Sequence, residues 1–179
     1  MRTGRWTVVA AAGLVVLLAG CGDPTAATQQ ARAHGQDRAS AADRTWAVHA
    51  HQANLAEIQV GELARSRGAS QDVRAAGATL VSDHTGADTA LRKAASQARL
   101  GMPLRPDAAQ RAAAAKLARA KGHAFDRDFV RTQVAAHKTA IAQAKAEAWH
   151  GNAESLRTLA QQSVPTLKKH LWMLQRAHG

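Results

Sequence analysis

Apolar residues recur along most of the chain at alternating spacings of three and four. The clearest run is Val73, Gly77, Leu80, Ala87, Leu91, Ala95 and Ala98, which draws one apolar stripe down a helix. Trp46, Ala50, Ala53, Glu57, Val60 and Ala64 form a second stripe, widened by Leu55, Ile58 and Leu63. Val130, Val134, His137, Ile141, Ala144 and Ala148 form a third, with Phe125 and Phe129 at its start. Leu156, Ala160, Ser163, Leu167, His170 and Leu174 form a fourth.

Punctuation between the stripes sets the expected boundaries. Asp43 reads as the N-cap of the first helix and Gly68 as its stop. Ser70 caps a second helix to about Leu100, with Asp72 at its positive end. The short link between them predicts an antiparallel pair. Gly101 to Pro106 breaks the pattern, and Asp107 to about Lys121 is a shorter, Ala-rich helix ended by Gly122. A long helix follows from near Ala124 to His150, then a turn at Gly151-Asn152, then a last helix from about Ala153 to Ala177. Pro165 falls inside it and should kink it or free a carbonyl near Gln161.

Four long amphipathic helices with short first and last turns predict an all-α, antiparallel four-helix bundle over residues 43–178. A short connector helix joins the second and third. The connecting segment is long enough for a crossover, but its length alone does not fix its path. Abundant Ala and scarce aromatics agree with helix.

The N-terminus changes the picture of where the bundle resides. Arg2 and Arg5 precede an apolar run from Val8 to Leu18 that is too short to span a bilayer comfortably. Leu18-Ala19-Gly20-Cys21 has the form of a lipobox, so residues 1–20 read as a lipoprotein signal peptide. Cys21, the only cysteine, would be acylated on its thiol and amine. Two or three acyl chains would anchor the protein firmly in a bilayer. Residues 21–42, small and polar, read as a flexible tether. The expected address is the cell envelope, lipid-anchored and facing the extracytoplasmic side.

Formal charge is +11, or +9 once Arg2 and Arg5 leave with the signal. The basic residues are scattered and few aromatics interleave with them, which argues against a nucleic-acid partner for an exported protein. Anionic envelope components are the more plausible counterparts, beside the plainer reading of solvated helix faces.

Each stripe carries one titratable residue near mid-helix: Glu57, His84, His137 and His170. Lone charges are costly in a bundle interior, so these groups need partners. Three imidazoles and one carboxylate could ligate one Zn, Fe or Cu ion, with Asp83 accepting a ring proton from a neighbouring histidine. The alternative is a buried polar network without metal. Glu147-Ala-Trp-His150 is the only Glu-x-x-His motif, and it lies at a helix end and off the stripe. His49, His51, His123 and His178 read as surface residues. Three buried neutral histidines would lower stability below about pH 6. An oxidase or other metal enzyme would need an open coordination position and a substrate path, and neither is legible in the sequence. No nucleophile elbow, phosphate loop or dinucleotide fingerprint occurs.

Glu57 with Gly61-Glu-Leu-Ala64, Val81-Ser-Asp83-His84, Phe125-Asp126, Gln133-Val-Ala-Ala-His137 and Val164-Pro165-Thr-Leu-Lys-Lys-His170 together resemble the bacterial family known as domain of unknown function 4142. The resemblance covers about residues 43–176. It departs from the family pattern only conservatively, with Trp46 and Phe129 where Phe and Tyr are expected. It implies a ferritin-like, exported protein whose biochemical activity is not established. The combined reading is an envelope lipoprotein of unknown activity that binds one transition-metal ion. The rival is a non-enzymatic structural or stress-related envelope protein with a polar Glu/His layer.

Overall fold

The computed structural model describes residues 38–177, so the expected signal, Cys21, most of the tether and His178 lie outside the described residues. Among the described residues five helices occur in order: α1 (Ala41–Arg67), α2 (Gln71–Gln97), α3 (Ala108–Leu117), α4 (Gly122–His150) and α5 (Glu154–Arg176). No strand occurs among the described residues, and no helix there is long and apolar enough to cross a membrane. The fold is the expected helical bundle with a short connector between its second and third long helices.

Local chemistry accounts for the boundaries. Ser40, not Asp43, is the N-cap of α1: Ser40 Oγ accepts from the Asp43 N–H at 3.1 Å, while Asp43 Oδ2 accepts from the Ser40 N–H at 2.6 Å. This reciprocal box needs an acid three residues into the helix, which is why the cap lies earlier than the apolar pattern suggests. Ser70 caps α2 as expected. Asp107 and Gln110 form a second capping box on α3. Gly122 does not end α3. It opens α4 at φ +55°, a left-handed conformation that glycine adopts without cost. α5 is continuous through Pro165.

The ends of the helices define the topology. Val60, Ala64, Val73, Leu80, Phe125, Phe129 and Leu174 form one core cluster, joining the end of α1, the start of α2, the start of α4 and the end of α5. Ala47, Leu91, Ala95, Ala153 and Leu156 form a second at the opposite end. α2 therefore finishes at one end and α4 begins at the other. The connecting segment must run back along the bundle, and Ala114 and Leu117 of α3 pack into the first cluster on the way. This is the long crossover of ferritin-like bundles.

Two buried aspartates lock the hairpins to each other. Asp126 of α4 accepts from the N–H groups of Ala69 (2.9 Å) and Ser70 (2.8 Å) in the α1–α2 turn. Asp43 of α1 accepts from those of Asn152 (2.8 Å) and Ala153 (3.2 Å) at the α4–α5 turn. Each hairpin thus supplies a carboxylate that satisfies backbone donors in the other's turn. The layer between the two clusters holds the polar residues.

Candidate metal centre

Residues from three helices meet at the bundle's midpoint. His84 of α2, His137 of α4 and His170 of α5 are all buried, with ring centroids 5.3 to 5.7 Å apart. One ring nitrogen from each lies within 4.8 Å of the others, which makes the trio a set able to hold a metal ion. Core stripes on three different helices carry these histidines inward.

The outer nitrogens assign the tautomers. His137 Nδ1 lies 3.0 Å from the Gln133 carbonyl oxygen, which can only accept, so Nδ1 carries the proton. His170 Nε2 donates to Asp83 Oδ2 at 2.9 Å, as the sequence suggested for a carboxylate beside His84. His84 Nδ1 donates to Asn54 Oδ1 at 2.9 Å. The nitrogens left over are His84 Nε2, His137 Nε2 and His170 Nδ1. In the neutral rings each bears an inward lone pair. His137 Nε2 and His170 Nδ1 stand 3.4 Å apart, and buried His84 Nε2 has no hydrogen-bond partner. An unmade bond at a buried polar atom costs about 1–3 kcal/mol. For metal–nitrogen bonds of about 2.0–2.1 Å, two vertices of a tetrahedron lie about 3.3–3.4 Å apart, so the His137–His170 separation fits a zinc-like ion. An outward N–H bond on every ring is the arrangement that fixes metal-binding imidazoles.

Burial tunes the donors. His84 is pushed down to about 3, first by desolvation and then by the charges that His137 and His170 would carry. His137 falls to about 4, again chiefly by desolvation, although its bond to the Gln133 carbonyl opposes the shift. At neutral pH protons therefore do not compete for these two lone pairs.

Glu57 of α1 is placed differently. Its Oε1 lies 4.0 Å from His137 Nδ1, on the side of the ring that faces away from His170, and it is not part of the converging trio. With its amide nitrogen toward the carboxyl, Gln133 donates to both Glu57 oxygens at 2.6 Å. Burial raises Glu57 to about 8, so it is a neutral acid at pH 7.

A cavity of about 550 Å³ opens beside the trio, lined by α1, α2, α4 and α5. Its apolar lining is seven alanines with Trp46, Leu91, Leu159 and Leu167, and Asn54, Gln143 and Gln162 are among its polar residues. The family model for DUF4142, a domain of unknown function, matches residues 27–177. The chain belongs to the DUF4142 family. No curated protein and no solved structure matches it.

Two histidine and carboxylate expectations are corrected in this DUF4142 protein. His51 is not a surface residue: it is buried, with Nδ1 2.5 Å from Asp88 Oδ1 and Nε2 2.7 Å from the Pro103 carbonyl. The signal missed was Asp88, four residues after His84, which lies on the same helix face and meets α1. Glu147, taken as off the stripe, is buried at the bundle end and hydrogen-bonds Asp43. Burial and the adjacent Asp43 carboxylate raise it to about 7. His49, His123 and His150 are exposed. Asn54 and Gln133 are the site residues that sequence reasoning passed over. Gln133 lies one turn before His137 and Asn54 three residues before Glu57, but neither amide type announces a site by itself.

Proposed function

We propose that this DUF4142 protein is a cell-envelope lipoprotein that binds one divalent transition-metal ion through His84, His137 and His170. Asp83, Asn54 and the Gln133 carbonyl orient the three rings. The supporting observation is the inward convergence of three ring nitrogens, one of them without a partner, while every outer nitrogen donates to an oxygen. Imidazoles suit Zn, Fe and Cu, and with no carboxylate in the converging set Zn²⁺ or Cu²⁺ is favoured over iron. Glu57, the fourth residue expected as a ligand, acts instead beside the site, its neutral carboxyl held by Gln133. Acylated Cys21 anchors the chain in a bilayer, and its basic surface faces anionic envelope components.

The test is elemental analysis of the whole chain, beside a His84→Ala/His137→Ala/His170→Ala variant. About one metal per chain, lost in the variant, supports the site. Equal metal in both, or none in either after reconstitution, overturns it in favour of a structural polar layer. Mass spectrometry of membrane-purified protein tests acylation: an unmodified Cys21 removes the anchor.

A further inference from the structure

The cavity has a chemistry of its own. A space of about 550 Å³ far exceeds the voids that a packed core leaves, and it falls in the range of small-molecule sites, roughly 300–1,000 Å³. Bundle cores normally fill such space with Leu or Ile, whereas here Ala50, Ala53, Ala140 and Ala144 face it. The three histidines form a buried polar group in its wall, and Gln143, Gln162 and Thr166 line it at exposed positions. His84 Nε2 is buried there without a partner. Trp46, Leu91, Leu159 and Leu167, with seven alanines, supply its apolar lining.

The rim offers a path. Gly86, Ala87 and Ala90 of α2 are exposed and line the opening, and a Cβ added at Gly86 would meet nothing within 4 Å. An opening from solvent to the cavity, not legible in the sequence, is therefore present in the fold.

Charge selects the occupant. Neither Lys nor Arg lines the cavity; its ionisable groups are Glu57, Asp83 and the three histidines. Glu57 is engaged by Gln133 and Asp83 by His170. A divalent ion on three uncharged imidazoles would keep excess positive charge next to an apolar chamber, with its fourth position unfilled by protein. The group that completes it should be an anionic oxygen, and the rest of the molecule should be apolar.

We infer, resting on the metal reading above, that the cavity binds a small amphiphile with one anionic oxygen head and an apolar body, its head completing the coordination of the ion held by His84, His137 and His170. Medium-chain carboxylates and apolar phenolates share this chemistry.

The experiment uses the whole chain carrying Cys21→Ala, which removes the acylation site so that no detergent competes for the cavity. Co²⁺ is added and its visible absorption followed, first alone and then with octanoate, acetate or an alkylphenol. Octanoate should change the cobalt spectrum at a concentration at least about tenfold below acetate, since added methylenes leave water for the chamber. Ala140→Leu inside the cavity and Ala87→Phe on its exposed rim should each weaken octanoate by about tenfold or more while cobalt still binds. Response to the alkylphenol and not to octanoate would assign the phenolate member of the class. An octanoate response equal to that of acetate, silence from octanoate and the alkylphenol alike, or unchanged binding of the responding amphiphile in both variants overturns the inference and leaves the metal site standing. If Co²⁺ gives no band that depends on the three histidines, the metal reading fails and this inference with it.

Discussion

His137 Nε2 faces His170 Nδ1 across 3.4 Å, and the outer nitrogen of each ring already donates its proton elsewhere. Two lone pairs directed at each other in a buried site repel unless a cation lies between or beside them. Sharing a proton would relieve the pair, but His137 is held near 4 by burial, so at neutral pH a metal ion relieves it better. The three side chains could thus hold a cation that satisfies their inward nitrogens.

Asp83 should act on the proposed metal binding without touching the ion. It accepts from His170 Nε2, fixing the tautomer that leaves Nδ1 inward, and its side chain is one-third exposed, so its loss is tolerated by the fold. Asp83→Ala is expected to weaken Zn²⁺ binding about 10- to 100-fold with little change in apo stability. Competition with a chromophoric chelator measures it. Affinity unchanged by the substitution would mean that another contact orients His170.

The apo protein should show an unusual pH profile, and the sign follows from four groups. His84 and His137, depressed to about 3 and about 4 from 6.5, bind protons in the unfolded chain but not in the folded one as pH falls below 6.5. They alone would make stability drop with acid. Glu57 and Glu147, raised to about 8 and about 7 from 4.5, do the reverse: folded, they keep protons that the unfolded chain releases above 4.5. Between about pH 4.5 and 6.5 the two pairs cancel. Stability should therefore be nearly flat there, fall below about pH 4.5, where Asp43, held below its ordinary value by its hydrogen bonds despite burial, adds to the loss, and fall again from about 6.5 to 8. Each uncompensated group contributes about 1.4 kcal/mol per pH unit as an upper figure. This revises the expectation of loss below about pH 6, which counted histidines and not the buried acids beside them. Urea denaturation from pH 4 to 8 measures the profile, and Glu57→Gln should shallow the alkaline limb; a steady decline from pH 6.5 to 5 would show that the acids ionise normally.

Asp126 should be a large single contributor to stability. It is fully buried and is the acceptor for two backbone N–H groups, at Ala69 and Ser70. Asp126→Ala strands both donors, at about 1–3 kcal/mol each before relaxation, so a loss of about 2–4 kcal/mol is expected. Asp43→Ala should cost a similar amount at the opposite end, with the capping box lost as well. The two sites share no contacts, so the double variant should lose the sum within about 0.5 kcal/mol. Chemical denaturation decides this, and a strongly non-additive pair would mean that the two turns are coupled through the bundle.

The sequence carried the stripes, and with them the helices and the depth of His84, His137 and His170, because a helical period fixes which residues share a face. The crossover was not legible. Its path depends on which end of the bundle receives α4, and that is settled by Asp126 meeting the α1–α2 turn and by Leu117 entering the first core cluster, both long-range contacts. The side chains around the site were equally hidden. Asn54 and Gln133 are ordinary polar residues in a helix until another helix brings His84 or Glu57 against them. His51 escaped for the same reason: its partners Asp88 and Pro103 are supplied by α2 and the crossover.

Gly77 and Gly86 lie on the same helix and should respond with opposite sign to the same change. A Cβ at Gly77 would stand 2.6 Å from both the Gly61 carbonyl oxygen and the Arg65 nitrogen of α1, backbone atoms that cannot swing aside. α1 and α2 would have to part, disturbing the packing of Ala64 and Val73 in the first core cluster. Gly77→Ala should therefore cost about 1–3 kcal/mol despite the gain in helix propensity. At Gly86 the same Cβ meets open space, so Gly86→Ala should stabilise by about 0.5–1 kcal/mol through the unfolded chain. The consequence reaches the three histidines, because the α1–α2 spacing also sets the bond from His84 Nδ1 to Asn54 Oδ1. Gly77→Ala should accordingly weaken Zn²⁺ binding, whereas Gly86→Ala should leave it unchanged. Thermal unfolding and zinc competition on the two variants separate these effects: a Gly77→Ala protein as stable as the parent would show that the helices are not held by this close approach, and loss of stability with intact zinc affinity would show that Asn54 follows His84 when the helices shift.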